Sequence, residues 1–259
     1  MANLKEIKIK INSVKNTQKT TKAMKLVSSA KLTRTRQLSE QSRSYAAKIN
    51  EVLSDIAARV SKVQDDGNIG RAFIQNSTPK TVDIVFVTAD KGLCGGFNVA
   101  TIKTVSKLIN EYEAKGVKVR LRAAGKKGVE FFSFQGKTLE QKAIDLSSAP
   151  TYEKASNYIK IAVEDFKNEL TDKVIIVYNG FLNMLTQEIR VKEILPVSLE
   201  KVEISETTSM LNIEPDDDDE VLKELTDKYI DFYMYYALID SLAAAHRARL
   251  QAMAAASTN

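Results

Sequence analysis

A glycine-rich loop is the segment of this 259-residue chain whose composition best fits a reactive or ligand-binding site. It runs from Asp90 to Asn98, reads DKGLCGGFN, and separates a strand-like run from an amphipathic segment. Phosphate-binding loops occupy that position, because backbone N–H groups at a helix N-terminus attract anions. The loop matches neither the Gly-x-Gly-x-x-Gly spacing nor the Walker A pattern, which needs Gly-Lys-Ser/Thr. A tight structural or docking turn is therefore favoured over nucleotide binding.

Other residues with reactive side chains give weak signals for catalysis. Cys94, the only cysteine, lies beside Lys91 and a helix start, which could lower its thiol pKa. No histidine is near it in the sequence to act as a base, so a small buried thiol is favoured. The only histidine, His246, lies on a helical seam, which favours a packed residue over a pH switch. The acidic run from Pro215 to Glu220 fits a helix N-terminus better than a metal site. We predict no catalytic residue, no cofactor and no metal.

Positive charge is concentrated at the N-terminus. Residues 1–36 hold eight Lys and two Arg against Glu6, a charge of +9 in a chain whose net charge is +5. Such an imbalance suggests an acidic partner. The stretch from Lys15 to Lys31 is interpreted as a docking track for acidic side chains, with a solvated helix surface as the alternative. Nucleic acid is a third interpretation, but no aromatic residue precedes Tyr45 to stack on bases.

The placement of helix breakers divides the chain into three parts. All ten Gly and all four Pro lie between Gly67 and Pro215. We therefore expect an N-terminal coiled-coil helix in 1–66, an α/β domain with linkers in 67–215 and a C-terminal coiled-coil helix in 216–259. The linkers are predicted at 61–79 and 201–215.

Both arms carry the four-three spacing of a coiled-coil seam. The N-terminal stripe is Ile7, Ile11, Val14, Gln18, Thr21, Lys25, Ser28, Leu32, Thr35, Ser39, Ser42, Ala46, Ile49, Leu53, Ile56 and Val60. The C-terminal stripe is Leu222, Leu225, Tyr229, Phe232, Tyr236, Ile239, Ala243, His246, Leu250 and Met253. A helix from about Leu4 to Val60 would be roughly 85 Å long and must project from any compact domain. The arms are expected to pair antiparallel. The polar middle of the first stripe indicates a seam that is not dry there and would suit a bearing surface.

The middle of the chain alternates strand-like and helix-like segments. The expected strands are 82–88, 117–123 and 174–178, with an edge strand at 188–197, and the expected helices are 99–112 and 152–170. This alternation predicts an open α/β sheet. The fold class is therefore α/β plus long helices, with the sheet domain inserted between the two arms of an antiparallel coiled coil.

Two motifs resemble those of the gamma subunits of F-type ATP synthases. The segment from Ile7 to Leu32 reads IKIKINSVKNTQKTTKAMKLVSSAKL and is similar to the family's N-terminal signature. The glycine-rich loop resembles its central motif, and residues 244–259 resemble its C-terminal signature more loosely. The resemblance implies an antiparallel coiled coil with an inserted Rossmann-like domain, the same architecture that the breakers predict.

The resemblance also implies a function. The coiled coil would stand in the axis of a hexamer of alternating alpha and beta subunits, which hold the catalytic sites. The α/β domain and lower coiled coil would form a foot on the membrane ring of c subunits, beside the epsilon subunit. Proton flow would turn the ring, and the asymmetric shaft would drive ATP synthesis by changing the affinities of the beta sites. The chain itself would be non-catalytic.

The resemblance also marks individual positions. Lys22, Met24 and Lys25 match family positions that face an acidic loop of the beta subunit. Arg249 matches an arginine expected to contact the same subunits, and Lys91 a basic position in transient contact with beta. Leu211 and Ile213 fall, on a weaker local match, where the foot should meet the ring.

Location and rival functions follow from the remaining features. With no apolar run near 18 residues, no secretory signal and no transit peptide, we expect a peripheral protein on the cytoplasmic face of a bacterial plasma membrane. A single cysteine also argues against the thiol-regulated chloroplast relatives. Relatives continue the C-terminal helix beyond Asn259, which implies a truncated or short tip.

Two alternative functions remain open. The first is a nucleic-acid-binding coiled-coil protein, and the second is a nucleotide-dependent enzyme built on the α/β domain.

Overall fold

The computed structural model describes residues 4–60, 72–73, 78–183, 186–197 and 218–258. Its helices are α1 (Leu4–Val60), α2 (Phe97–Glu113), α3 (Lys126–Phe134), α4 (Tyr152–Lys167) and α5 (Asp218–Thr258). Its strands are β1 (Thr81–Val87), β2 (Lys118–Ala124), β3 (Gln141–Ala143), β4 (Lys173–Phe181) and β5 (Gln187–Leu195). Most of both linkers, and Leu211 and Ile213 with them, lie outside the described residues, and the division into domains stays a prediction.

The five strands form one sheet in the order β3-β2-β1-β4-β5. Strands β1 to β4 run parallel, and β5 pairs antiparallel with β4 at the edge. The first four strands follow the Rossmann order, with β1 in the middle and the chain reversing direction across the sheet beside it. The expected α/β sheet and its edge strand are confirmed. The short α3 and the three-residue β3 were not predicted from the sequence.

Helices cover both faces of this sheet. On one face, α2 and α3 contribute Ile102, Val105, Ile109 and Phe132 to a core with β1, β2 and β4. On the other face, α4 and the first half of α5 pack onto the sheet. The apolar residues of β1 are buried towards both layers, which explains its continuous apolar run. Residues 78–197 are called the sheet domain below.

The long helices α1 and α5 pair antiparallel, as predicted, and are called the rod below. The Ser39 hydroxyl donates to Asp240 Oδ1 at 2.7 Å, and the Thr21 and Ser257 hydroxyls lie 2.7 Å apart. These two contacts are 18 residues apart on α1 and 17 residues apart on α5, in opposite directions along the chain. The described residues contain no helix long and apolar enough to cross a membrane.

The polar middle of the α1 stripe differs from what its composition predicts. Its small polar residues are buried inside the rod instead of forming a bearing surface: they are Thr21, Ser28, Thr35, Ser39 and Ser42. Several hydroxyls are satisfied by their own helix, as in the bonds from Thr35 Oγ1 to Lys31 O at 2.9 Å and from Thr21 Oγ1 to Gln18 O at 3.0 Å. Small side chains with internally bonded hydroxyls can line a seam without leaving buried polar groups unpaired. Gln18 and Lys25 are the exposed members of this middle section.

The apolar start of the α1 stripe also differs from the prediction. Ile7, Ile11 and Val14 were expected in the seam, but they are 46%, 48% and 65% exposed. The Gln18 side chain bonds to Ser257 O at 3.0 Å, one residue before the end of α5. Among the described residues, the contact between α1 and α5 therefore extends as far as Gln18.

Candidate functional site

The cavity between the rod and the carboxyl end of β1 gathers three of the residues that the sequence singled out. It has a volume of about 600 Å³, and Met24, Lys91 and Arg249 all line it. We call it the junction cavity, because α1, α5 and the loop after β1 form its walls. Lys22 and Lys25 do not line it, but both lie exposed on α1 on either side of Met24.

The glycine-rich loop that forms one wall is held by its first and last side chains. Asp90 accepts hydrogen bonds from Lys126 N at 2.8 Å, Asp145 N at 3.0 Å and Ser147 Oγ at 2.8 Å. Asn98 Oδ1 accepts from the backbone N–H of Ala89 at 2.9 Å. These bonds occupy both carboxylate oxygens of Asp90 in tying the loop to the rest of the domain, as expected of a structural turn.

Arg249 joins the rod to this loop. Its guanidinium donates to the carbonyl oxygens of Lys91 and Gly92 at 3.2 and 3.3 Å. Leu93 and Gly95 turn the chain just beyond them, with φ of 58° and 55°. Arg249 therefore already has partners within the chain, whereas the ammonium group of Lys91 has none in the described structure and its residue is exposed.

The charges around the cavity do not cancel. Lys31, Lys91 and Arg249 line it together with a single carboxylate, Asp90. Burial, together with the neighbouring Arg249 and Lys31, lowers the pKa of His246 to about 4, so this imidazole is neutral at pH 7. The net positive charge favours acidic groups.

Cys94 is a small buried thiol, as its sequence context favoured. It is 2% exposed, and burial raises the pKa of its thiol despite the nearby Arg249. The Asn98 amide donates to its sulfur at 3.3 Å. A thiol in such surroundings is a poor nucleophile.

Sequence reasoning included Lys31 only as the end of the docking track, and it missed a second polar cluster around Asp240. That cluster includes Arg190, whose Nη1 lies 2.8 Å from Asp240 Oδ2. An acidic residue between apolar seam positions Ile239 and Ala243 was the available signal, since buried carboxylates need partners.

Comparisons with known proteins agree with the fold. The model of the family described as ATP synthase matches residues 3–259. The ATP synthase gamma chain of Aliarcobacter butzleri is 80% identical over 260 residues, covering 100% of this chain and 88% of the relative. That of Nitratiruptor is 55% identical, with the same coverage.

A solved structure gives the same architecture at lower identity. A chain of the Tetrahymena thermophila mitochondrial ATP synthase central stalk and c-ring superposes with a TM-score of 0.68 and 22% identity. The match covers 92% of this chain and 99% of that one. At 22% identity this superposition supports the shared fold alone. The gamma chains at 80% and 55% identity show the family. The chain therefore belongs to the gamma chain family of ATP synthases.

Proposed function

We propose that this chain is the central rotor shaft of an F-type ATP synthase and carries torque between the membrane rotor ring and the catalytic alpha/beta hexamer. The observation that carries the proposal is the combination of family membership with the antiparallel pairing of α1 and α5. A helix of 57 residues is roughly 85 Å long, which exceeds the diameter of a small domain. The chain performs no catalysis itself, since the catalytic sites belong to the beta subunits.

The hexamer contacts proposed for this shaft are Lys22, Met24, Lys25, Lys91 and Arg249. Lys22, Lys25 and Lys91 are exposed, which supports contact with an acidic surface that passes by as the shaft turns. Exposed Lys–carboxylate pairs contribute only about 0.2–1 kcal/mol each, so they can break and form again within one revolution. The net positive junction cavity supports the same choice of partner. Arg249 acts here chiefly by holding Lys91 and its loop in place.

The lower end of the shaft is proposed to stand on the ring of c subunits beside the epsilon subunit. This places the protein peripherally at the cytoplasmic face of a bacterial plasma membrane, with protons as the coupling ion. Leu211 and Ile213 remain the proposed ring contacts on the strength of the family resemblance alone.

Co-purification tests the proposal directly. Alpha and beta subunits expressed with this chain should form an ATPase in which a bead attached to the chain rotates. A complex that hydrolyses ATP at the same rate and assembles equally well without the chain would contradict the shaft function.

A charge reversal tests the contact residues separately. Lys22→Glu with Lys25→Glu should reduce ATP synthesis relative to proton flow. The matched control is Lys103→Glu with Lys107→Glu on α2, which makes the same charge change away from the junction cavity. Normal torque and normal coupling in the first variant would refute the proposed lysine contacts.

A further inference from the structure

The helix α5 changes its neighbours along its length. From Leu222 to Leu238 it contributes to the apolar core formed with α4 and β4. Further along, Ala245 and Arg249 line the junction cavity opposite α1 and the glycine-rich loop. Asp240 lies between these two segments, at a point where α5 contacts both α1 and the sheet domain.

The Asp240 carboxylate bonds to three other elements at this point. Oδ1 accepts from Ser39 Oγ of α1 at 2.7 Å and from the Phe181 backbone N–H of β4 at 3.3 Å. Oδ2 accepts from Arg190 Nη1 of β5 at 2.8 Å. Arg190 is held in turn by Glu188 and by the Tyr236 hydroxyl, at 2.8 and 2.6 Å. One side chain thus connects both rod helices to the last two strands of the sheet.

The surroundings are shaped to admit this carboxylate. Asp240 is 1% exposed, and it lies within the six consecutive buried residues 236–241. A Cβ on Gly180 would lie 2.7 Å from Asp240 Oδ2 and 2.8 Å from Arg190 Nε. A side chain at this position would therefore displace the ion pair. Arg36 of α1 also lies over the Phe181 ring, 5.8 Å from its centroid.

Apolar packing and this cluster restrain different motions. Hydrophobic contact is non-directional, so it holds the sheet domain on α5 but resists a small change of angle about the helix axis less sharply than directional bonds do. Charge-assisted hydrogen bonds are directional, and buried ion pairs are best attested as devices that set register and orientation. The bond of Asp240 to Arg190 of β5 lies off the axis of α5, where it opposes rotation of the domain about that helix, and the bond to Ser39 extends the restraint to α1.

We propose that Asp240, with Arg190 and Ser39, is a positioning cluster that fixes the angle between the sheet domain and the rod, so that torque passes between them without slip. This inference rests on the proposed function, because only a rotating shaft would place a torsional load on the joint between the sheet domain and the rod. The cluster needs no contact with the hexamer or the ring. It acts through the rod, by keeping the two parts of the shaft turning together.

The test is the torsional stiffness of the assembled complex. The hexamer is fixed to a surface, and a gold nanorod is attached through Lys107→Cys, an exposed site on α2; the native Cys94 is buried. Between catalytic steps the hexamer holds the rod at a fixed angle. The angular variance of the nanorod in that interval reports the torsional stiffness between the rod and the sheet domain. For Asp240→Asn we expect the variance to rise about twofold, since neutral hydrogen bonds are roughly half as strong as charge-assisted ones. ATP hydrolysis by the hexamer should stay unchanged.

A matched control and a double variant complete the test. Asp227→Asn removes a carboxylate from the same helix that also pairs with the sheet domain, through Lys167 at 2.9 Å, but its side chain is 42% exposed. Its variance should equal that of the unmodified chain. Combining Asp240→Asn with Arg190→Gln should add nothing to the larger single effect, because both remove the same link. If Asp240→Asn does not assemble, Ser39→Ala is measured in the same way.

The outcomes separate the two proposals. An unmodified complex that neither rotates nor needs this chain would overturn the shaft function. An unmodified complex that rotates, with equal variance in the Asp240 and Asp227 variants, would overturn the positioning cluster alone. Where Ser39→Ala is used instead, a variance equal to that of the unmodified chain would likewise overturn the positioning cluster.

Discussion

Truncating Leu32 tests whether the small-residue seam holds the rod together. Leu32 is 6% exposed on α1, among buried Ser and Thr positions, whereas Leu26 on the same helix is 71% exposed. Leu32→Ala removes about three methylene equivalents from a buried site, worth roughly 2.4 kcal/mol at ~0.8 kcal/mol each. A residual cavity adds to this cost, and Leu→Ala changes at buried sites span about 2–5 kcal/mol. We therefore expect the free energy of unfolding to fall by about 2.5–4 kcal/mol.

Urea unfolding followed by far-ultraviolet circular dichroism measures this loss. With a slope of about 3 kcal/mol per molar urea for a chain of this size, the midpoint should fall by about 1 M. Leu26→Ala is the matched control, because the same atoms are removed from a side chain already in water, and it should change stability by no more than about 0.5 kcal/mol. Equal midpoints for the two variants would refute a buried seam at Leu32.

Three further predictions concern buried groups elsewhere in the fold. Gly125→Ala should cost about 3 kcal/mol or more, because φ is 108° and its Cβ would lie 1.9 Å from Thr88 O; thermal unfolding measures this. Gly116→Ala, at φ 74° with no atom within 4 Å of the new Cβ, should cost only about 1–2 kcal/mol. Stability should fall as pH drops from 6.5 towards 4, since His246 takes up a proton in the unfolded chain before it does in the folded one, whose pKa is about 4. His246→Gln should remove about 2–3 kcal/mol of the difference between the free energies of unfolding, obtained from urea curves, at about pH 7 and pH 4.5, and an unaltered pH profile would contradict a buried neutral imidazole. Cys94 should react with iodoacetamide several-fold more slowly in the folded chain than in urea, because burial raises its pKa; equal rates would mean an accessible thiol.

The rod could be predicted from the sequence because it depends on a local property. Helix continuation is decided residue by residue, so the absence of Gly and Pro before Gly67 and after Pro215 was enough to outline α1 and α5. The central strands were equally accessible, since each is a continuous or alternating apolar run. In contrast, β3 has only three residues, Gln141–Ala143, and α3 is a nine-residue helix that contains Gly128. Neither offers enough periodicity to stand out from its surroundings.

The register of the rod was beyond sequence reasoning. Periodicity shows which face of a helix is apolar, but not which residues of a second helix lie opposite it. Ile7 and Ile11 have the correct spacing and are exposed, because the described part of α5 reaches only as far as Gln18. Thr35 and Ser39 looked too polar for a seam and are buried. Their burial depends on hydrogen bonds to a carbonyl of α1 and to Asp240, which the composition of the stripe does not reveal.

The proposed contact residues stay a prediction, but the structure shows how three of them are arranged. Met24, Lys91 and Arg249 do meet at one cavity, although they are far apart in the sequence. What the sequence could not indicate is that Arg249 binds the carbonyl oxygens beside Lys91, so that it supports the loop from inside the chain. Among the described residues, Arg249 has partners within the chain and the ammonium group of Lys91 has none.

The dual position of α5 joins the rod to the sheet domain. Its residues 236–241 are buried on consecutive positions, which an α-helix with one exposed face cannot achieve. The helix is therefore a coiled-coil partner of α1 and a covering layer of the sheet at the same place. A rotation of the sheet domain about the rod would have to break both the α5–β4 packing and the bonds of Asp240. Directional bonds resist small angular changes more sharply than apolar packing does, so the proposed positioning cluster should contribute measurably to the stiffness of this joint.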